Sequence, residues 1–179
     1  MSCLIIFFIC FFSFIIGKNF HKIKNIIINK KSIKKRDDNT KTNFSFDESD
    51  DLKMVFLVRQ DLKMGAGKIA AQVAHAAIGL YDDVLEGDNI YQKTALNSWF
   101  NYGQKKIVLK AENLDIMFDV VKKCKKLKLQ YCLITDAGHT QIPEGSVTVL
   151  GIGPDTSDKI NTITGTFKLI FYIIDFNNI

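Results

Sequence analysis

Cysteine and net charge are both scarce in this chain of 179 residues. Of four cysteines, Cys3 and Cys10 sit in an apolar N-terminal run, which leaves Cys124 and Cys132. There is no CxxC pair and no paired metal-ligand spacing, which excludes a disulfide framework and gives no zinc or iron–sulfur site. The two remaining cysteines read as small buried hydrophobes. The net charge is only +5, and a balance of that size does not by itself imply nucleic acid. A phosphate-gripping loop is also missing. Its lysine must be followed by Ser or Thr, whose hydroxyl holds magnesium. Here Gly67-Lys68 is followed by Ile69, and no glycine stands at Asp61 or Leu62. The dinucleotide pattern keeps Gly65 and Gly67 but ends on Ala70, and no acidic residue closes a second strand about twenty residues on. No Cys–His pair is evident.

What is present falls into three parts. Residues 3–16 are apolar apart from Ser13, fourteen residues in all. That is short for a transmembrane helix and right for a signal-peptide core. No basic residue precedes the run and no clear A-x-A site follows it. Residues 18–36 carry seven lysines, one arginine and no acid. Residues 37–51 are polar and acidic, a linker by composition. Two readings stand side by side. One is a two-part presequence, with secretory entry followed by transit into a plastid-like organelle. The other is a membrane anchor through residues 3–16 whose basic flank is drawn to anionic lipid. Mitochondrial entry fits less well, because early arginines are missing. Residues 1–52 thus form a leader, residues 53–170 one domain, and residues 171–179 an apolar tail with no function read from it.

The domain opens with a continuous apolar run, residues 54–58, as expected for a strand buried on both faces. From Lys68 the pattern turns helical. At about 100° per residue, Lys68, Gln72 and His75 fall within a narrow sector, while alanines and aliphatics cover the rest. This predicts a mostly buried helix with one polar stripe. The helix N-terminus adds partial positive charge beside Lys68, which favours an anion or a developing oxyanion.

Further elements follow in alternation. Residues 89–100 read as a helix holding Trp99, residues 105–111 as a strand, and Glu112 as the opening of a helix through Met117, Val120, Val121 and Cys124. Residues 130–138 read as a strand running into a loop. A last strand is expected to stop at Pro154, with Asp155 or Ser157 capping a short helix over residues 158–164. Such alternation predicts an α/β sandwich with a small parallel or mixed sheet. Lys68 and Asp136 then both follow strands, at the edge where ligands bind in such sheets. Five lysines lie between Lys122 and Lys128. They read either as cations at a helix C-terminus or as an RNA-phosphate patch.

Three stretches, "VRQDLKMGAGKIAAQVAHAA", "LITDAGHTQIPEGSVTVLGIGP" and "ITGTFKL", resemble the second peptidyl-tRNA hydrolase family, typical of archaea and eukaryotes. The resemblance runs from Lys53 to Leu169. It implies a three-layer sandwich, with a mixed four-stranded sheet and helices on both faces. It also implies peptidyl-tRNA as substrate, a homodimer in many members, and no metal or cofactor. It places activity on Lys68, Asp136 and Thr140. Asp136 would position or deprotonate water, Lys68 would stabilise the oxyanion, and Thr140 would orient water or Asp136. Gln72, His75 and Gln141 are positioning groups, and Lys63, Lys122, Lys123, Lys125 and Lys126 are contacts for tRNA. The chain departs from the family at Ala66, where members often carry lysine, and at His139, where they usually carry Arg or Lys. The rival expectation is a non-catalytic, membrane-anchored module of the same fold that binds a protein or RNA.

Overall fold

The computed structural model describes residues 45–138 and 142–170. Among these, four strands and four helices follow the order β1 (Leu52–Arg59), α1 (Ala66–Glu86), α2 (Ile90–Asn101), β2 (Lys106–Ala111), α3 (Leu114–Leu127), β3 (Tyr131–Thr135), β4 (Val147–Thr156) and α4 (Ser157–Thr164). The strands form one open sheet in the order β2-β1-β4-β3. β1 and β2 are parallel, while β4 runs antiparallel to β1 and β3. β1, β2 and β3 therefore point the same way, and their carboxyl ends share one edge. This is the small mixed α/β sandwich expected from the alternation of elements.

β1 shows why its run is apolar at every position. Met54, Phe56 and Val58 join a cluster with Ala76, Leu80 and Val84 of α1 and Leu96 and Trp99 of α2. Val55 and Leu57 face the other cluster, with Met117, Val120 and Cys124 of α3 and Ile160 and Ile163 of α4. Period-two alternation sends neighbours to opposite faces, and both faces are covered. Burying each such side chain stabilises the fold by about 1.5–3 kcal/mol.

Helix α1 differs from expectation. It starts at Ala66, and its buried line is Gln72, Ala76, Leu80 and Val84. Ala70, Ala71, Ala74 and His75 face outward, and Ile78 is 60% exposed. The helix is held to the sheet along a narrow line of close approach. A Cβ on Gly79 would stand 2.7 Å from Cys132 Sγ, and one on Gly151 2.9 Å from Leu80 Cδ1. So close a contact buries one edge of the helix and leaves the alanine side in solvent. The expected polar stripe is divided: Gln72 points inward, Lys68 is half-buried and His75 is outside.

Three boundaries also move. β4 does not stop at Pro154. Val55 pairs with Ile152 and Lys53 with Asp155, so Gly153 and Pro154 together oppose Met54 in a bulge, where the missing N–H costs no ladder bond. The residue at the α4 N-cap is Thr156, without a side-chain cap bond. Asp155 is buried and accepts instead from Thr156 N at 2.8 Å, Tyr91 Oη at 2.7 Å and Lys159 Nζ at 2.6 Å. Helix α3 is capped by Asn113, one residue after Glu112, through a 3.1 Å bond from Ile116 N.

Contacts of the domain begin ahead of Lys53. Leu52 already belongs to β1, and Phe46 meets the Tyr91 ring edge-on at 5.5 Å. Asp51 pairs with Lys105 at 2.8 Å. Among the described residues no helix is long and apolar enough to cross a membrane. The apolar run at residues 3–16, the basic stretch after it and the tail at 171–179 lie outside the described residues.

Candidate active site

The edge formed by the carboxyl ends of β1 and β3 brings residues of α1 together with the loop after β3. Lys68 comes from the first turn of α1, which follows β1, and Asp136 from the residue after β3. Lys68 Nζ donates to Asp136 Oδ1 and forms an ion pair with it. Gln72 Nε2 donates to the same oxygen at 3.1 Å, and the backbone N of Gly138 donates to Oδ2 at 3.1 Å. Lys68 and Gln72 lie one helical turn apart on one face of α1, which is why both reach one carboxylate. Asp136 is 6% exposed.

The loop around Asp136 is shaped by its glycines. Asp136 N donates to Ser146 O, and Gly145 N to Asp136 O, both at 2.9 Å, so the β3–β4 pairing is prolonged as far as the carboxylate. Gly138 has φ +80°, and a Cβ there would stand 2.8 Å from Glu144 Cα. Only glycine tolerates that combination. It lets the chain turn tightly enough for its N–H to reach back to Asp136.

A further residue, Thr148, was not singled out from the sequence. Its Oγ1 donates toward Gln72 Oε1 at 2.7 Å and lies 3.1 Å from Ile134 O. Thr148 is fully buried. Holding the amide oxygen of Gln72 turns its NH2 toward Asp136. Simple alternation along β4 would put Thr148 on the face of Leu150 and Ile152, away from α1. The register shifts, however: Ile134 pairs with Val149 and Thr135 with Val147. Thr148 is the extra residue of a bulge, and bulges re-aim side chains. A threonine set between two valines in the apolar first half of β4 was the available signal.

The other expected site residues divide by place. Thr140, Gln141 and His139 lie outside the described residues. His75 is exposed and takes no part in the hydrogen bonds around Asp136. Lys63 stands in the loop after β1, with φ +46°, on the site's own edge. Lys122, Lys123, Lys125 and Lys126 occupy the far end of α3, a helix of 14 residues that carries the chain about 21 Å back across the sheet. Lys122 is paired there with Asp119 at 2.8 Å; that bond raises the lysine's pKa and lowers the aspartate's. Nearer the site, Arg59 donates to both carboxylate oxygens of Asp61 and to Val147 O at 3.0 Å. The Asp61 bond raises the Arg59 pKa, and Arg59 lowers that of Asp61. This pair ties the β1–α1 loop to the start of β4. No cluster of three or more His, Cys, Asp or Glu suited to a metal occurs among the described residues.

Sheet order and site together define an α/β domain whose polar centre is a half-buried lysine closed onto a buried aspartate at the strand ends. The family model for peptidyl-tRNA hydrolase PTH2 matches residues 52–170, and the chain belongs to that family. It is 45% identical over 119 residues to a peptidyl-tRNA hydrolase of Saccharolobus solfataricus, covering 66% of this chain and 99% of that protein. A Saccharolobus islandicus peptidyl-tRNA hydrolase is 47% identical over the same shares. One from Methanothermobacter thermautotrophicus is 42% identical, over 66% of this chain and all of that protein.

Proposed function

We propose that this chain hydrolyses the ester joining a peptide's carboxyl carbon to the terminal ribose of tRNA, releasing peptide and tRNA. The observation that carries the reading is the Lys68–Asp136 ion pair, closed at the strand ends of a chain of this family. Hydrolysis of such an ester needs a held water, a seat for the oxyanion and a proton for the ribose oxygen. In this reading Asp136 orients the water and takes its proton as the oxygen attacks the carbonyl carbon. The Lys68 ammonium stabilises the oxyanion. The bond from that carbon to the ribose oxygen then breaks, and the proton held by Asp136 passes to the leaving oxygen. Gln72, held by Thr148, fixes the direction of the carboxylate. Thr140, four positions beyond Asp136, would orient the water or the carboxylate by hydrogen bonding, and Gln141 and His75 would serve as further positioning groups.

Contacts to tRNA are assigned to Lys63 on the site's edge. Lys122, Lys123, Lys125 and Lys126 would meet a more distant part of the same molecule. Residues 1–52 would direct the chain to an organelle or hold it at a membrane; composition supports this. The homodimer rests on the family resemblance. The deciding experiment is to incubate the purified chain with peptidyl-tRNA and, separately, aminoacyl-tRNA, and follow release of the acyl group. Cleavage of peptidyl-tRNA supports the reading. Binding of tRNA without cleavage would replace it with that of a non-catalytic module.

A further inference from the structure

We infer that Lys110 and Lys168, set opposite each other across the outer edge of β2, grip backbone phosphates of the tRNA strand leading to the ester. This rests on the hydrolase reading above. After α4 the chain returns along the open side of β2. Lys110 N donates to Lys168 O at 2.8 Å, Ile170 N donates to Val108 O at 3.1 Å, and Leu109 bridges Leu169 antiparallel. That register makes Lys110 and Lys168 a directly opposed pair, with Cβ atoms about 5.5 Å apart. Like charges so placed destabilise a ladder. None of the ion pairs among the described residues involves either lysine. The arrangement costs stability in the free protein and is relieved by an anion between the two ammonium groups.

Position favours a phosphate of the substrate as that anion. Lys110 pairs with Val58 near the carboxyl end of β2, so the two lysines stand on the same sheet edge as Asp136. The loop after β1 folds onto this end: Gln60 N donates to Ala111 O at 2.8 Å and Asp61 N to Glu112 O at 3.2 Å. It brings Lys63, the third cation, to the same side. β2 lies three strand spacings from β3, about 14 Å, and the returning segment one more, about 19 Å. At about 3.4 Å of rise per stacked nucleotide, these lysines would meet phosphates about four to six nucleotides from the ester. The lysines near the end of α3 differ in both respects. They lie at the opposite edge, farther from the ester, and Lys122 among them is already paired with Asp119.

The test compares the full wild-type chain with a Lys110→Met, Lys168→Met double variant and a Lys110→Arg, Lys168→Arg double variant. Hydrolysis of peptidyl-tRNA is measured over a range of substrate and salt, alongside binding of deacylated tRNA, thermal unfolding and sedimentation. The methionine pair should raise KM and the tRNA Kd about tenfold near 0.1 M salt. It should also flatten the salt slope by about 1.4–1.8, the value of two lost phosphate contacts. Its Tm should equal or exceed the wild-type value, since a repulsion is removed. The arginine pair should restore affinity and slope. An unchanged slope in the methionine pair overturns the inference, as does an arginine pair no better than methionine. So does a methionine pair that keeps its tRNA affinity but self-associates, because the lysines would then only guard an open strand edge. A wild-type chain that binds tRNA without cleaving peptidyl-tRNA would sink the hydrolase reading instead, and the binding arm would still decide the role of the lysines.

Discussion

Lys68 Nζ is bonded to Asp136 Oδ1 across 68 positions of sequence, with the two side chains 13% and 5% exposed. Desolvation offsets much of the Coulomb gain in such a pair, so it is a poor device for stability. It does hold a cation and an anion ready at one point, which hydrolysis of an ester needs. Substituting each partner in turn separates their roles.

Asp136→Asn keeps the shape of the side chain and removes the base. Ester cleavage should fall at least about a hundredfold, the lower range of acid–base contributions. Binding of deacylated tRNA should change little. Single-turnover cleavage of peptidyl-tRNA measures the first and filter binding the second. Near-normal turnover would remove Asp136 from the chemistry.

Lys68→Met separates oxyanion stabilisation from phosphate gripping. If Lys68 acts on the oxyanion, activity is lost at every salt concentration. A phosphate contact would be largely rescued at low salt, where electrostatic affinity rises. The check is kcat/KM across a salt series, and full low-salt rescue would contradict an oxyanion role for Lys68.

Thr148→Val should leave Gln72 Oε1 buried without its donor, at a cost of about 1–3 kcal/mol. The amide would then no longer be held toward Asp136, and kcat should fall by about tenfold, on the order of one such bond to a charged group. Thr148→Ser keeps the hydroxyl and should recover most of the rate. If serine and valine behave alike in steady-state assays, Thr148 only fills space.

Tyr91→Phe tests the far end of the sheet. Tyr91 Oη donates to the buried Asp155 at 2.7 Å, and burial together with that carboxylate raises the Tyr91 pKa. Removing the hydroxyl leaves a buried carboxylate one donor short, costing about 1–3 kcal/mol in a denaturant melt. Hydrolysis by the folded variant should be unchanged, because the residue lies away from the Lys68–Asp136 edge. An unaltered melt would mean that Lys159 and the backbone suffice for Asp155.

Residues 1–52 should control place and not chemistry. A fluorescent protein fused behind them should leave the cytosol. Import should yield a shortened product, and anchoring a full-length one in the membrane fraction. A soluble, full-length cytosolic fusion would count against both readings.

Much of this molecule was readable in the one-dimensional pattern. The continuous apolar run of β1 already told of two covered faces, and the alternation of elements told of the sheet. The glycine-rich turn before Lys68 and the "DAG" stretch after β3 marked the two strand ends that carry the site. These features are local: side-chain period and turn chemistry act over a few residues, so a sequence displays them directly.

Other features come from the meeting of distant segments. Which side of α1 is buried was settled by Gly79 and Gly151, which let the helix approach the sheet along one line and so turned Gln72 inward and His75 out. The role of Thr148 depends on a bulge whose register is a property of β3 and β4 together. The opposition of Lys110 and Lys168 exists only because the chain returns along β2 after α4. Composition and period determined the elements and their order. Pairing register and close backbone approach decided which polar groups face one another, because both are set by two segments at once.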